Sequence, residues 1–191
     1  MFIANILERK KQMKHLIIID MQNDFITGSL GTEEAVAIVP NVVEKIRQSR
    51  KNGDNLILTM DFHRNHYLET HEGRYLPIPH CIIGTDGASL HKDIGQAISD
   101  TKSSYQLIFK SAFGTFNWQK ILGETLPQED SICLVGLCSN ICVITNALIL
   151  RTMYPETDIE IDASCCAGET KELHSAAMEV MKSCHINVYN N

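Results

Sequence analysis

Three residues of this chain are suited to nucleophilic chemistry, and each closes or follows an apolar run: Asp20 after LIII, Lys110 after LIF, and Cys142 after ICLVGL and a short Cys138-Ser139-Asn140-Ile141 turn. A helix is expected to begin at that turn. A thiol at a helix N-terminus feels the positive end of the macrodipole, and a nearby lysine lowers its pKa further below about 8.5. Unpaired backbone N–H groups of the same first turn can face a developing oxyanion. Otherwise a free cysteine is a buried packing residue. Cys138 lies one helical turn earlier, where its backbone N–H matters more than its sulfur. A carboxylate ending a buried strand, as Asp20 does, is costly unless paired, and the ammonium of Lys110 wants such a partner. Their bland readings are a turn-capping aspartate and a snorkelling lysine.

A second constellation is metal-like. Asp61-Phe62-His63 puts a carboxylate and an imidazole on one side of an extended chain, and His80 follows a stiffening proline. One carboxylate and two imidazoles suit Zn, Fe or Mn and leave positions open for water or substrate. Glu72 and His71 are both open as a fourth ligand. The remaining histidines, His15, His66, His91, His174 and His185, read as polar surface, and Cys81, Cys133, Cys165, Cys166 and Cys184 as packing residues.

The elements that must position these groups are six short, largely β-branched runs at residues 16–19, 56–59, 106–109, 132–135, 159–161 and 186–188. Being continuous rather than alternating, they predict strands buried on both faces. Helix-period segments lie between most of them. Val39, Val42, Val43 and Ile46 share a face, with Pro40 suited to a first turn and Gly53 to a stop. Leu173, Ala176, Ala177, Val180, Met181 and Cys184 repeat the pattern. Such alternation predicts a three-layer α/β/α fold with a central six-stranded parallel sheet, in which ligands bind beyond the carboxyl ends of the strands. Residues 61–91 break the alternation as a long irregular segment, usually a sign of function.

The 191 residues suit one domain, and with 44% hydrophobic and 21% charged residues the chain is expected to be globular throughout. A net charge of -6 repels phosphate backbones, so neither a nucleic-acid nor a membrane partner is expected. No apolar run reaches the roughly 18 residues of a membrane span. Residues 1–12 read as an N-terminal extension without signal-peptide order, ahead of a single domain over residues 13–191. Seven cysteines without CxxC spacing fit a reducing cytoplasm rather than a disulfide framework.

Five segments, IIIDMQNDF (17–25), TMDFH (59–63), PHCIIGTDGA (79–88), FKSAFGTF (109–116) and VGLCSNICV (135–143), together resemble the isochorismatase-like cysteine hydrolases, in their nicotinamidase branch. The resemblance implies a catalytic triad of Asp20, Lys110 and Cys142 and an oxyanion hole from the backbone N–H groups of Cys138 and Cys142. It also implies a cis Leu137–Cys138 peptide, a substrate pocket at Phe25, Phe113 and Leu137, and metal ligands matching Asp61, His63, His80 and Glu72. The cofactor so implied is a divalent metal, zinc first, with Fe or Mn as alternatives. A small amide is the implied substrate, hydrolysed through a thioester, and a homo-oligomer would be usual. Two departures, Pro77 in place of an aromatic residue and Ser139-Asn140 in place of Thr-Asp, are expected to line the pocket. The competing expectations are hydrolysis of another amide, ureido or carbamoyl bond, a binding protein without catalysis, and a metal-binding regulator.

Overall fold

The computed structural model describes residues 12–100 and 104–191, so the expected extension falls, apart from Gln12, outside them. Six strands form one all-parallel sheet: β1 (Lys14–Ile19), β2 (Asn55–Asp61), β3 (Gln106–Lys110), β4 (Ser131–Leu137), β5 (Asp158–Ala167) and β6 (Asn187–Tyr189). Their order is β3-β2-β1-β4-β5-β6, so the chain reverses its direction of winding between β1 and β4. That is the switch point where open α/β sheets bind ligands.

The side chains of β1 explain the three layers. Leu16 and Ile18 enter one core with Ile38, Val39, Val42 and Ile46, whereas Ile17 and Ile19 enter the other with Trp118, Leu150, Met178 and Met181. Helices α2 (Glu33–Asn52) and α4 (Lys92–Ser99) therefore cover one face, and α5 (Trp118–Leu122), α6 (Ile144–Met153) and α7 (Lys171–Ser183) cover the other. Short helices α1 (Asn23–Ile26) and α3 (His71–Tyr75) lie at the carboxyl edge.

Four local expectations change. Pro40 is inside α2 rather than in its first turn: Thr32 caps the helix by accepting from the Ala35 N–H, two turns earlier than the apolar face suggests. Gly53 ends it as expected, at φ 77°. In α7 the inward residues are Ala177, Met178 and Met181; Leu173 and Val180 are exposed, because the apolar face is wider than the surface it packs on. Strand β3 is buried on one face only, since it is the sheet edge and among the described residues no helix covers Leu107 and Phe109. Residues 61–91 are not formless: they hold a 3₁₀ turn at Tyr67–Glu69, helix α3 and bridges pairing His63 with Ile82 and Gln22 with Leu90.

Gly136 is where strand geometry meets the site. At φ 117° a Cβ would lie 2.1 Å from the Ile19 carbonyl oxygen, so only glycine lets β4 lie this close to the end of β1. No helix of the described residues is long and apolar enough to cross a membrane.

Candidate active site

Register brings the reactive residues together. Ile19 pairs with Thr59 and Gly136, and Asp61 pairs with Lys110, so Asp20, Asp61, Lys110 and the turn after Leu137 share one edge. Asp20 has a left-handed backbone (φ 48°), and its carboxylate accepts from Thr59 Oγ1 at 2.7 Å and forms an ion pair with Lys110 Nζ at 2.6 Å. Lys110 Nζ also lies 3.5 Å from Cys142 Sγ and 3.5 Å from Asp61 Oδ1. Lys110 is thus the cation between two carboxylates and a sulfur.

The chain after Leu137 makes a π-helical turn, Ser139–Val143, before α6. In it the Val143 N–H donates to the Cys138 carbonyl at 3.1 Å, and the Leu137–Cys138 peptide is cis, as expected. Asn146, fully buried one turn into α6, donates to the carbonyls of Cys142 (2.8 Å) and Phe113 (3.0 Å) and accepts from the Thr115 N–H (3.2 Å). It ties the loop after Lys110 to the turn that carries the thiol.

One electrostatic expectation is overturned. Burial raises the Cys142 thiol well above its ordinary value, and the charge of Asp20 adds to this while Lys110 only partly opposes it. The dryness of the site therefore favours the neutral thiol over the thiolate. Burial also raises Asp20, against the opposing charge of Lys110. Burial would lower Lys110, but the charges of Asp20 and Asp61 carry it above its usual value, so it stays charged.

Beside this group Asp61, His63, Glu72 and His80 offer four ligand atoms within 4.8 Å of one another. His63 Nε2 is 2.9 Å from Asp61 Oδ2, and Glu72 Oε1 lies 3.6 and 3.5 Å from the Nε2 atoms of His63 and His80. His80 Nδ1 faces the Ile78 carbonyl at 2.9 Å; a carbonyl only accepts, so Nδ1 carries a proton, and Nε2 is the nitrogen turned towards the cluster. Burial would raise Asp61, yet hydrogen bonds from His63 and His80 and the charge of Lys110 hold it well below the usual carboxylate range. Two imidazoles and two carboxylates around one point are a donor set for a divalent transition metal. Glu72 shares this cluster; His71 is exposed and packs on Tyr75.

A cavity of about 230 Å³ opens onto Cys142 and onto Asp61, Glu72 and His80 of the cluster, with Phe25, Phe113, Leu137 and Ile141 among its walls. Drug-sized ligands occupy roughly 300–1,000 Å³, so this space suits a smaller molecule. All three expected pocket residues line it. Pro77 does not: it is exposed, and its neighbour Leu76 lines the cavity instead. Ser139 and Asn140 are also absent from the walls, bonding instead to His174 (3.0 Å) and Glu169 (2.8 Å). His174 is accordingly half-buried, and His15 is buried against Asn55, so neither is the surface histidine its sequence setting suggests.

Sequence reasoning missed Gln22, Thr59, Asn146 and Asp24. Gln22 accepts from the Asp61 N–H at 2.6 Å and donates to the Asp61 and Ala88 carbonyls at 2.9 Å each. Asp24 accepts from the Cys81 N–H at 2.7 Å, next to His80. The only trace of this pair in the sequence is a run of polar residues directly after a buried strand.

The isochorismatase domain, as a family, matches residues 14–190. The chain belongs to the isochorismatase family. Among individual proteins it is 25% identical to the nicotinamidase/pyrazinamidase of Mycobacterium tuberculosis, over 90% of this chain and 100% of that one. The structure of nicotinamidase from Bacillus subtilis superposes with a TM-score of 0.79 at 26% identity, covering 93% of this chain and 99% of the other. Pyrazinamidase of Pyrococcus horikoshii, solved in complex with zinc, gives 0.76 at 26% identity, with the same coverage. The all-parallel six-stranded sheet is the isochorismatase-like fold.

Proposed function

We propose that this chain is a metal-assisted cysteine amidohydrolase that converts nicotinamide and water to nicotinate and ammonia. The observation that carries the reading is Lys110, which bridges Asp20 and Cys142, with Cys142 lining the cavity. The likeness to nicotinamidases over nearly the whole chain supports the choice of substrate.

In this reading Asp20 takes the thiol proton as Cys142 Sγ attacks the carboxamide carbon. Burial raises Asp20, which makes it a stronger proton acceptor than an ordinary aspartate. Lys110 stays charged and offsets the negative charge as it moves from carboxylate to sulfur. The backbone N–H groups of Cys138 and Cys142 receive the oxyanion. Asp20 then gives the proton to the amide nitrogen, the C–N bond breaks, ammonia leaves and a thioester remains on Cys142. Asp20 next takes a proton from water as its oxygen attacks the thioester; the C–S bond breaks, and the sulfur recovers the proton from Asp20 as nicotinate departs.

Asp61, His63, His80 and Glu72 would hold one divalent cation, with zinc favoured by the donor set and by the zinc-bound relative. Such an ion supplies Lewis acidity and a fixed point for a ring nitrogen or a water molecule. Phe25 and Phe113 supply flat apolar walls for the ring.

Hydrolysis of a different amide or ureido bond drew its main support from Pro77, which is outside the cavity. The test is ammonia release from a panel of amides by the unaltered protein and by Cys142→Ala. Nicotinamide turnover that disappears in the variant, with the fold intact, is expected; turnover retained by Cys142→Ala would remove the proposal.

A further inference from the structure

Glu169 stands at the mouth of the cavity, between the end of β5 and the Thr170 cap of α7. Asn140 Nδ2 donates to Glu169 Oε2 at 2.8 Å, and Asn140 Oδ1 accepts from the Glu169 N–H at 3.1 Å. This two-way clamp holds the Glu169 carboxylate through Oε2, and among the described residues Oε1 has no hydrogen bond.

The charges lining the cavity make this position matter. Among the described residues three carboxylates, Asp61, Glu72 and Glu169, contribute to the walls, and neither lysine nor arginine does. Asp61 is compensated by Lys110, His63 and His80, and Glu72 faces the same two imidazoles. Among the described residues Glu169 pairs only with a neutral amide. Its field extends inward: burial and then the charge of Glu169 push the Cys138 thiol up to about 12.

We infer that Glu169 is a specificity residue, a charge filter that admits neutral or cationic carboxamides and disfavours ligands bearing a carboxylate. On the amide-hydrolysis reading above, on which this inference rests, the filter acts twice. The substrate enters uncharged, and hydrolysis turns it into an anion that Glu169 then helps to expel. An exposed carboxylate acts through partly screened charge, so its effect must weaken as salt rises.

The test uses the zinc-loaded Cys142→Ala protein and calorimetric titration with nicotinamide and with nicotinate. In the same background Glu169→Gln keeps an acceptor for Asn140 but loses the charge, and Glu169→Lys reverses it. Glu179→Gln, on the outer face of α7, is the control. The ratio of the nicotinate to the nicotinamide dissociation constant is expected to fall roughly tenfold in Glu169→Gln, and further in Glu169→Lys, as removal of a like charge at a partly solvated site would give. The differences should shrink at high salt. A ratio that stays within about twofold across all four proteins overturns the inference. Hydrolysis of nicotinamide by the unaltered protein is measured first: its absence overturns the amide reading, whereas hydrolysis with an unmoved ratio overturns only the role of Glu169.

Discussion

Asn146 donates a 2.8 Å hydrogen bond to the carbonyl of Cys142, and its other bonds reach into the loop that follows Lys110. The thiol and the ammonium lie 32 residues apart in the chain, and this one amide ties the turn that carries the first to the loop that follows the second. Asn146→Ala leaves buried backbone groups without partners, each costing about 1–3 kcal/mol. The variant should therefore be less stable in urea and turn over more slowly. Asn146→Asp, which keeps one acceptor, is expected to recover only the bond from Thr115.

Lys110→Met removes the cation from a site where Asp20 has no exposure to solvent. Breaking a buried ion pair from one side costs about 3–5 kcal/mol. Unfolding titrations should show a loss of that size at neutral pH, with turnover abolished. Protonation of the stranded carboxylate would return part of the stability as the pH falls, so the deficit should narrow on acidification.

Alkylation of Cys142 reports its protonation directly. Because burial raises the thiol, iodoacetamide should react slowly at pH 7 and faster as the pH rises past the ordinary cysteine range. Peptide mass spectrometry at successive pH values measures this. A rate already at its plateau below pH 8 would restore the resting thiolate that a helix N-terminus suggests.

Metal content separates Glu72 from His71. Atomic emission should find one zinc per chain, lost in His80→Ala, weakened in Glu72→Gln and unchanged in His71→Ala. An ion that binds only the folded chain stabilises it by about 4 kcal/mol at a thousandfold excess over its Kd, so chelation should also lower the unfolding midpoint.

Acid stability offers a test away from the site. Burial would raise Asp162, but hydrogen bonds from Lys45 (2.7 Å), Asn190 (3.0 Å) and Ser164 (2.8 Å) hold it below the ordinary carboxylate value of 3.8. A carboxylate lowered in the folded state contributes stability above its unfolded pKa and loses it as the pH falls through the folded one. The unaltered protein should therefore be more stable than Asp162→Asn at pH 6, with the gap closing below pH 4. Urea midpoints across that range measure it.

Much of this was legible because two periodicities coincide. Uninterrupted β-branched runs mark buried parallel strands, and a polar residue at the end of such a run is costly unless used, which singles out Asp20, Asp61 and Lys110. What stayed hidden depends on contacts between distant segments. The start of α2 lies in the Thr32 cap rather than in the apolar face, and the uncovered face of β3 follows from its place at the edge. The raised Cys142 thiol follows from how dry the assembled site is, which position in a helix does not reveal. Gln22 and Asn146 act through backbone groups, and nothing in their own neighbourhood distinguishes them from ordinary polar residues.

The central claim is that Cys142 carries the acyl group during turnover. Quenching the protein in acid while it consumes nicotinamide, followed by intact and peptide mass spectrometry, tests it most directly. A fraction of chains should bear one nicotinoyl group on the peptide that contains Cys142. Steady release of nicotinate with no adduct on that peptide, or with the adduct on another residue, would contradict it.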